Sequence, residues 1–185
     1  NFLEVTLNIP NTQAADLFRW FPILAMVLTP FLGAFLDKVG KGATMLMIGA
    51  IIMIACHLSF AFLLPAFPSK TLALILIVVL GVSFSLVPAA LWPSVPKIIP
   101  MKQLGSAYAI IFYIQNIGLS MVPVLIGSVI QNYATIETAE GVTYDYTIPM
   151  SIFAVFGIVS IIVSFILKRV DKRNGYGLEQ PNMQK

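Results

Sequence analysis

Hydrophobic residues in this chain gather in five long runs, which shorter polar segments separate. Each run holds about the 20 mostly apolar residues that an α-helix needs to cross the hydrocarbon core of a bilayer. None shows the alternation of apolar and polar positions that a lipid-facing barrel strand would show. The pattern therefore predicts an all-α, polytopic membrane protein. Its five transmembrane helices are expected over residues 14–36, 43–64, 71–92, 105–130 and 147–167.

The composition agrees with a bilayer as the solvent of this chain. Of its 185 residues, 58% are hydrophobic and 10% are charged, and the mean hydropathy is +0.91. Soluble domains are about 45–50% apolar and about 25% charged, so a soluble fold could not bury this much apolar surface. We expect residues 1–169 to form a transmembrane bundle and residues 170–185 to form a short, solvated cytoplasmic tail.

The basic residues divide unequally between the two ends of the predicted helices. One end carries nine bases, whereas the opposite end holds only Arg19 and Lys70, beside an acidic loop with Glu137, Glu140 and Asp145. Because cytoplasmic loops are rich in Lys and Arg, the C-terminus is predicted to be cytoplasmic and the N-terminus to lie outside. One more helix before residue 1 would account for an N-terminus on the outside. The net charge of +3 then reflects topology, and no nucleic-acid partner is expected. The nine bases at the predicted cytoplasmic end are Lys38, Lys41, Lys97, Lys102, Lys168, Arg169, Lys172, Arg173 and Lys185.

The stretch "GAFLDKVGK" joins the first two predicted helices and carries polar residues at fixed spacing. Gly33 removes a side chain, so a neighbouring helix can approach, and Asp37 follows one turn later on the same face. An acid there can meet a helix N-terminus or a base, while Gly40 permits the chain to reverse. With Lys38 and Lys41, the stretch is either a plain turn with topology charges or a contact that sets the conformational balance.

The pattern G-x-x-x-D-K-x-G-K resembles the loop signature of the major facilitator superfamily, with Gly42 in place of its usual second base. The resemblance implies that the five helices are the eighth to the twelfth of twelve, that is, five helices of the six-helix C-terminal bundle. It also implies a secondary transporter for a small polar organic solute. Transport would be by alternating access, in which this bundle rocks against the N-terminal bundle of the same protein.

Two further segments resemble one branch of that superfamily. Residues 104–130 are similar to the eleventh helix of the branch that contains the lysosomal dipeptide transporter and its bacterial relatives, and residues 90–100, "ALWPSVPKIIP", fit the same branch. The resemblance implies short peptides as the first candidate solute. The expected location is the cytoplasmic membrane of a bacterium or an organelle membrane of a eukaryote. The expected partners are the solute, the lipid bilayer and the missing N-terminal bundle.

The fourth predicted helix carries polar side chains at the middle of the membrane. Tyr113, Asn116 and Ser120 recur at a spacing of three and four residues and share one helix face, which Gln115 flanks. Their hydroxyl and amide groups could orient a small polar solute. The alternative is hydrogen bonding between helices, which favours the same residue types. The family resemblance implies a cavity lined by this helix, so these four residues are candidate solute contacts.

Three other polar residues lie inside apolar runs. Arg19 could bind a substrate carboxylate, or it could extend to the membrane surface or pair with Asp16 three residues earlier. Ser83, followed by Pro88, is a candidate solute contact in a locally bent helix. His57 is either a proton relay or a packing residue. The resemblance implies that its helix lies at the periphery, away from the cavity, which favours packing.

Enzyme chemistry has little support in the sequence. It contains neither Gly-x-Ser-x-Gly nor His-Glu-x-x-His nor a phosphate-binding glycine loop, and the single Cys56 has no metal-ligand spacing around it. We expect no enzyme activity, no cofactor and no metal site. The alternative function is a non-transporting membrane subunit or a receptor-like accessory protein, which the mid-membrane polar face disfavours. A channel is also disfavoured because no run carries a ring-forming charge.

Overall fold

The computed structural model describes residues 1–138 and 141–182, so Glu140 and Lys185 lie outside the described residues. Within these residues, five helical stretches are long and apolar enough to cross a membrane, and each contains one of the five predicted helices. The elements are α1 (Phe2–Leu7), α2 (Asn11–Phe18), α3 (Trp20–Val39), α4 (Gly42–Leu58), α5 (Leu64–Ala66), α6 (Lys70–Ile98), α7 (Leu104–Val129), β1 (Thr135–Thr138), β2 (Gly141–Tyr144) and α8 (Thr147–Asn174). Short helical turns over Ser59–Leu63, Met101–Gln103 and Ile130–Ala134 join α4 to α5, precede α7 and follow α7.

Proline residues explain where the first stretch is interrupted. Pro22 has no amide hydrogen to donate to the carbonyl of Phe18, and its ring crowds that carbonyl. The regular hydrogen bonding is accordingly interrupted at Arg19, between α2 and α3, although Arg19 keeps helical dihedral angles of φ −57° and ψ −24°. The predicted helix over residues 14–36 lies within the single span Asn11–Val39, and the apolar run did not indicate this local irregularity.

In α6, one backbone carbonyl lacks its usual amide donor because a proline stands at the donor position. A side chain of another helix donates to this carbonyl instead. Pro96 cannot bond to the carbonyl of Trp92, and the hydroxyl of Tyr108 on α7 donates to that carbonyl at 3.3 Å. The helix α6 continues through its prolines to Ile98, six residues beyond the predicted end. The additional turns bring Lys97 to the end of the bundle.

The helices pack through α4, which lies against α6 and α8, while α3 lies against α6. One apolar cluster surrounds Phe60 and Leu64, and another surrounds Leu36 and Leu46 at the opposite end of the bundle. By contrast, α7 has no buried residue among its 26 described positions. The helix that carries the candidate solute contacts is therefore the least covered by the rest of the described chain.

The two ends of the bundle differ in their connections. At the end that we call the hairpin end, β1 and β2 form an antiparallel pair with Thr135 opposite Tyr144, where the sequence predicted only a polar loop. At the opposite end, the tail end, α8 runs to Asn174, seven residues past its predicted end. Residues 175–182, which we call the tail strap, then fold back over the turn between α3 and α4. The expected solvated tail is therefore packed against the bundle as far as Asn182.

Candidate functional site

Three of the predicted solute contacts share an exposed face of α7. Tyr113 is 70% exposed, and Asn116 and Ser120 are also exposed. The amide nitrogen of Asn116 donates to the carbonyl of Phe112 at 2.8 Å, and the hydroxyl of Ser120 donates to the carbonyl of Asn116 at 2.9 Å. Both bonds stay within α7, so neither ties this face to another described helix. The face is open to a solute or to a further part of the protein.

Gln115 lies on a different side of the same helix. It lines an apolar groove that also contains Gly118 of α7 and Phe153 of α8. Ser120 lines a separate groove with Val124 and Ser128. The structure thus brings Tyr113, Asn116 and Ser120 together along one face and does not bring Gln115 to them.

Arg19 and Ser83 are engaged by other groups. The guanidinium of Arg19 lies 3.1 Å from the carboxylate of Asp16 in an exposed ion pair, which is one of the alternatives that the sequence left open. Ser83 is 2% exposed, and its hydroxyl donates to the carbonyl of Gly49 on α4 at 2.7 Å. Ser83 is therefore not presented to a solute, whereas the side chain of Arg19 is 62% exposed.

His57 lies in an apolar environment between helices. Its ring nitrogen Nδ1 is 2.8 Å from the carbonyl of Met53, and its ring centre is 5.2 Å from that of Phe153. It borders an apolar pocket of about 190 Å³ near Phe60. These neighbours support the packing interpretation, since no acidic or basic group lines the pocket among the described residues.

Replacing Ser83 by alanine is expected to destabilise the protein by about 0.6–1.5 kcal/mol, the range for a hydrogen bond between helices in a membrane. Ser85 is the matched control, because its buried hydroxyl donates to Gly81 within its own helix at 2.7 Å. The melting temperature in detergent should fall further for Ser83→Ala than for Ser85→Ala. Equal melting temperatures would contradict a role for Ser83 in joining α4 to α6.

The loop motif forms a tight turn between α3 and α4. Gly40 has φ +74°, and Lys41 also adopts a left-handed conformation with φ +63°. The expected close approach at Gly33 does not occur within the described chain, where a side chain at that position would meet nothing within 4 Å. The close approach is instead at Gly40 and Gly42. A Cβ atom on Gly42 would lie 3.1 Å from the carbonyl oxygen of Leu178, which is tighter than an ordinary van der Waals contact.

The tail strap binds this turn through its backbone and through Glu179. The amides of Lys41 and Gly42 donate to the carbonyls of Glu179 and Leu178, each at 3.0 Å. The Glu179 carboxylate accepts bonds from the amide of Thr44 at 2.9 Å and from its hydroxyl at 2.6 Å. These amides begin α4 and have no partner within the helix, so the strap caps the helix and places an anion at its positive end.

Asp37, the acid of the motif, is held by the last described residue of the strap. The side-chain amide of Asn182 donates to the Asp37 carboxylate at 2.6 Å, and the backbone amide of Asn182 donates to the Asp37 carbonyl at 3.0 Å. Lys38 is exposed and lies beside the turn. The carboxylate therefore has a partner inside its own bundle.

The same strap is tied to the ends of α6 and α8. The ammonium group of Lys97 donates to the carbonyls of Gly177 and Gln180 at 2.9 and 2.7 Å. The amide of Leu178 donates at 2.9 Å to the carboxylate of Asp171, which is 7% exposed. Sequence reasoning missed these residues. A leucine between polar residues in a supposedly solvated tail, preceded by two glycines, was the available signal.

Five helices of this length and hydropathy make the chain an integral, multi-pass membrane protein. The chain belongs to the Major Facilitator Superfamily, whose family model matches residues 1–181. The resemblance of the loop motif is thereby confirmed at the level of the superfamily. The match also favours a transporter over an enzyme.

Curated relatives from three vertebrates bear the name lysosomal dipeptide transporter MFSD1. The chain is 36% identical to that of Danio rerio over 108 residues, 58% of this chain and 22% of the relative. It is 35% identical to that of Gallus gallus over 108 residues, 58% of this chain and 23% of the relative. It is 30% identical to that of Homo sapiens over 110 residues, 60% of this chain and 22% of the relative. The similarity thus spans less than a quarter of each relative's length.

Proposed function

We propose that this chain forms part of a secondary transporter that moves a small polar organic solute across a membrane by alternating access. The membership of residues 1–181 in the Major Facilitator Superfamily carries this proposal. The exposed face of α7 supports it, because polar side chains at membrane depth are costly unless they face a cavity or another part of the protein. A non-transporting membrane subunit would have less use for such a face.

We assign the solute contacts to Tyr113, Asn116 and Ser120; Gln115, on a different side of α7, is not part of this set. Neutral hydroxyl and amide groups can both donate to and accept from the peptide group and termini of a short peptide. The name of the relatives supports dipeptides as the first solute to test. Ser83 is left out of this set because its buried hydroxyl already donates to Gly49, and Arg19 is left out because it does not lie on the α7 face.

The tail end of the bundle is proposed to face the cytoplasm. Lys38, Lys41 and Lys97 lie at this end, together with the basic end of α8, and Lys and Arg favour the cytoplasmic side. In a bacterium the membrane would be the cytoplasmic one. The uncovered surface of α7 supports the N-terminal bundle of the same protein as the partner of this helix.

Uptake into proteoliposomes that contain the full-length protein tests the function. Labelled dipeptides and amino acids would be offered with and without an inward proton gradient. Saturable uptake of dipeptides, competed by unlabelled dipeptides, is expected, and an effect of the gradient would identify protons as the coupling ion. Folded protein that takes up no peptide would contradict the dipeptide assignment, and sugars and organic acids would be tested next.

Replacing Asn116 by leucine is expected to lower the specificity constant of dipeptide uptake about tenfold, because a bound polar group would lose its partner. Asn132→Leu is the matched control. The side chain of Asn132 makes the same type of bond, to the carbonyl of Ser128 at 2.8 Å, but lies at the hairpin end. Equal uptake constants for both variants, at equal amounts of folded protein, would remove Asn116 from the proposed site.

A further inference from the structure

The tail strap joins the ends of four long helices. It contacts α3 at Asp37, the start of α4 at Thr44, the end of α6 at Lys97 and the end of α8 at Asp171. The residues on the strap that make these contacts are Gly177, Leu178, Glu179, Gln180 and Asn182. One short segment thus fixes the relative positions of all four helix ends.

We propose that the tail strap is a conformational lock. While docked, it holds the α3–α4 turn against the ends of α6 and α8, and it must leave the turn before the turn can move relative to those helices. The lock regulates the transport cycle, and in that respect the proposal rests on the proposed function. Docking of the strap itself stands independently of any transported solute.

The geometry of the contacts supports mutual exclusion between docking and movement. The amides of Lys41 and Gly42 bond to successive strap carbonyls at 3.0 Å, while Lys97 of α6 bonds to two other strap carbonyls. Hydrogen bonds weaken steeply beyond about 3.2–3.5 Å. A shift of the α3–α4 turn by a few ångströms relative to α6 would therefore break several of these bonds at once.

The composition of the strap supports reversible docking. Its one deeply buried apolar side chain is Leu178, which is 1% exposed, among the described strap residues. The other contacts are hydrogen bonds and one ion pair, in which Lys168 lies 3.7 Å from Glu179. Polar groups on the strap can exchange these partners for water, so release does not leave them unsatisfied. Gly175 and Gly177, with φ +70° and +77°, form the bend at which the strap leaves α8.

Hydrogen exchange in the full-length protein tests docking without any transport measurement. The reporters are the amides of Lys41, Gly42 and Thr44, which all donate to the strap. Glu179→Ala should raise their exchange rates about tenfold, because it removes two bonds at the start of α4. Glu137→Ala at the hairpin end is the matched control and should leave them unchanged. Unchanged exchange in Glu179→Ala would overturn the proposal whatever the transport data show.

A reversible cross-link tests the lock. Lys41→Cys and Glu179→Cys would be combined in a Cys56→Ala background, since the backbones of residues 41 and 179 are in contact. Dipeptide uptake by the oxidised protein should be at least about tenfold slower than by the same protein after reduction. Equal uptake in the two states, with the cross-link shown to be complete, would overturn the lock. Absence of uptake in the unmodified protein would instead contradict the proposed function and leave the exchange test of docking in force.

Discussion

Replacing Gly40 by alanine is expected to destabilise the protein by on the order of 3 kcal/mol and to displace the tail strap. Gly40 has φ +74° and ψ −141°, a region that side-chain-bearing residues reach only at a cost of about 1–3 kcal/mol. The added Cβ atom would also lie 2.5–2.7 Å from three backbone atoms of residues 179–181. Backbone atoms cannot turn aside as the end of a side chain can, so either the turn or the strap must move.

Gly33→Ala is the control for this prediction, because it adds the same methyl group within α3, the helix that ends just before Gly40. Within the described chain nothing lies within 4 Å of that position, and alanine favours a helix over glycine by up to about 1 kcal/mol. Thermal unfolding in detergent should therefore show a large loss for Gly40→Ala and none for Gly33→Ala. Similar melting curves for the two variants would show that the turn does not depend on Gly40.

The sequence predicts the helices well because lipid imposes a simple rule on them. An apolar run of about 20 residues must satisfy its backbone internally, and a helix does so. The ends are harder to predict, because they depend on groups distant in sequence. The prolines at positions 93 and 96 suggest a stop, yet α6 continues to Ile98 while Tyr108 donates to a carbonyl that Pro96 leaves free.

The tail strap could not be predicted from local patterns. Thr44 and Glu179 are 135 residues apart, and their bond depends on how α8 packs against α4. The sequence indicated a turn at Gly40 and an important acid at Asp37, and both lie at the docking site of the strap. It did not indicate that the partner of Asp37 in this structure is Asn182, since an asparagine in a polar tail is unremarkable by itself.

The candidate solute face on α7, by contrast, could be predicted from the sequence. Tyr113, Asn116 and Ser120 share a face because of helical spacing alone, and the structure places them together on α7. Spacing cannot say what lies opposite a polar residue, as Ser83 illustrates. Its hydroxyl looked available in the sequence but bonds to Gly49 across the interface of α4 and α6.

The second substitution for which we expect a large loss of stability lies at the interface of α4 and α8. A Cβ atom added to Gly157 would overlap the side chain of Ile54 and would lie 3.3 Å from the side chain of Met53. Small residues at such positions let transmembrane helices approach closely. Gly157→Leu is therefore expected to separate α8 from α4, to destabilise the protein by about 3 kcal/mol and to lower the yield of monodisperse protein in detergent.

A compensating substitution tests whether the loss of stability comes from the contact between Gly157 and Ile54. Ile54→Ala removes the side chain that the new leucine would strike, so the combination of Ile54→Ala with Gly157→Leu should recover more than half of the lost stability. Val159→Leu, on an exposed position of the same helix, should leave the melting temperature unchanged. If Ile54→Ala lowers stability equally in the presence and absence of Gly157→Leu, the two residues are not coupled, and the close packing of α4 against α8 at Gly157 is wrong. Because the tail strap extends from α8 to the start of α4, correct packing at Gly157 is also a condition for its docking.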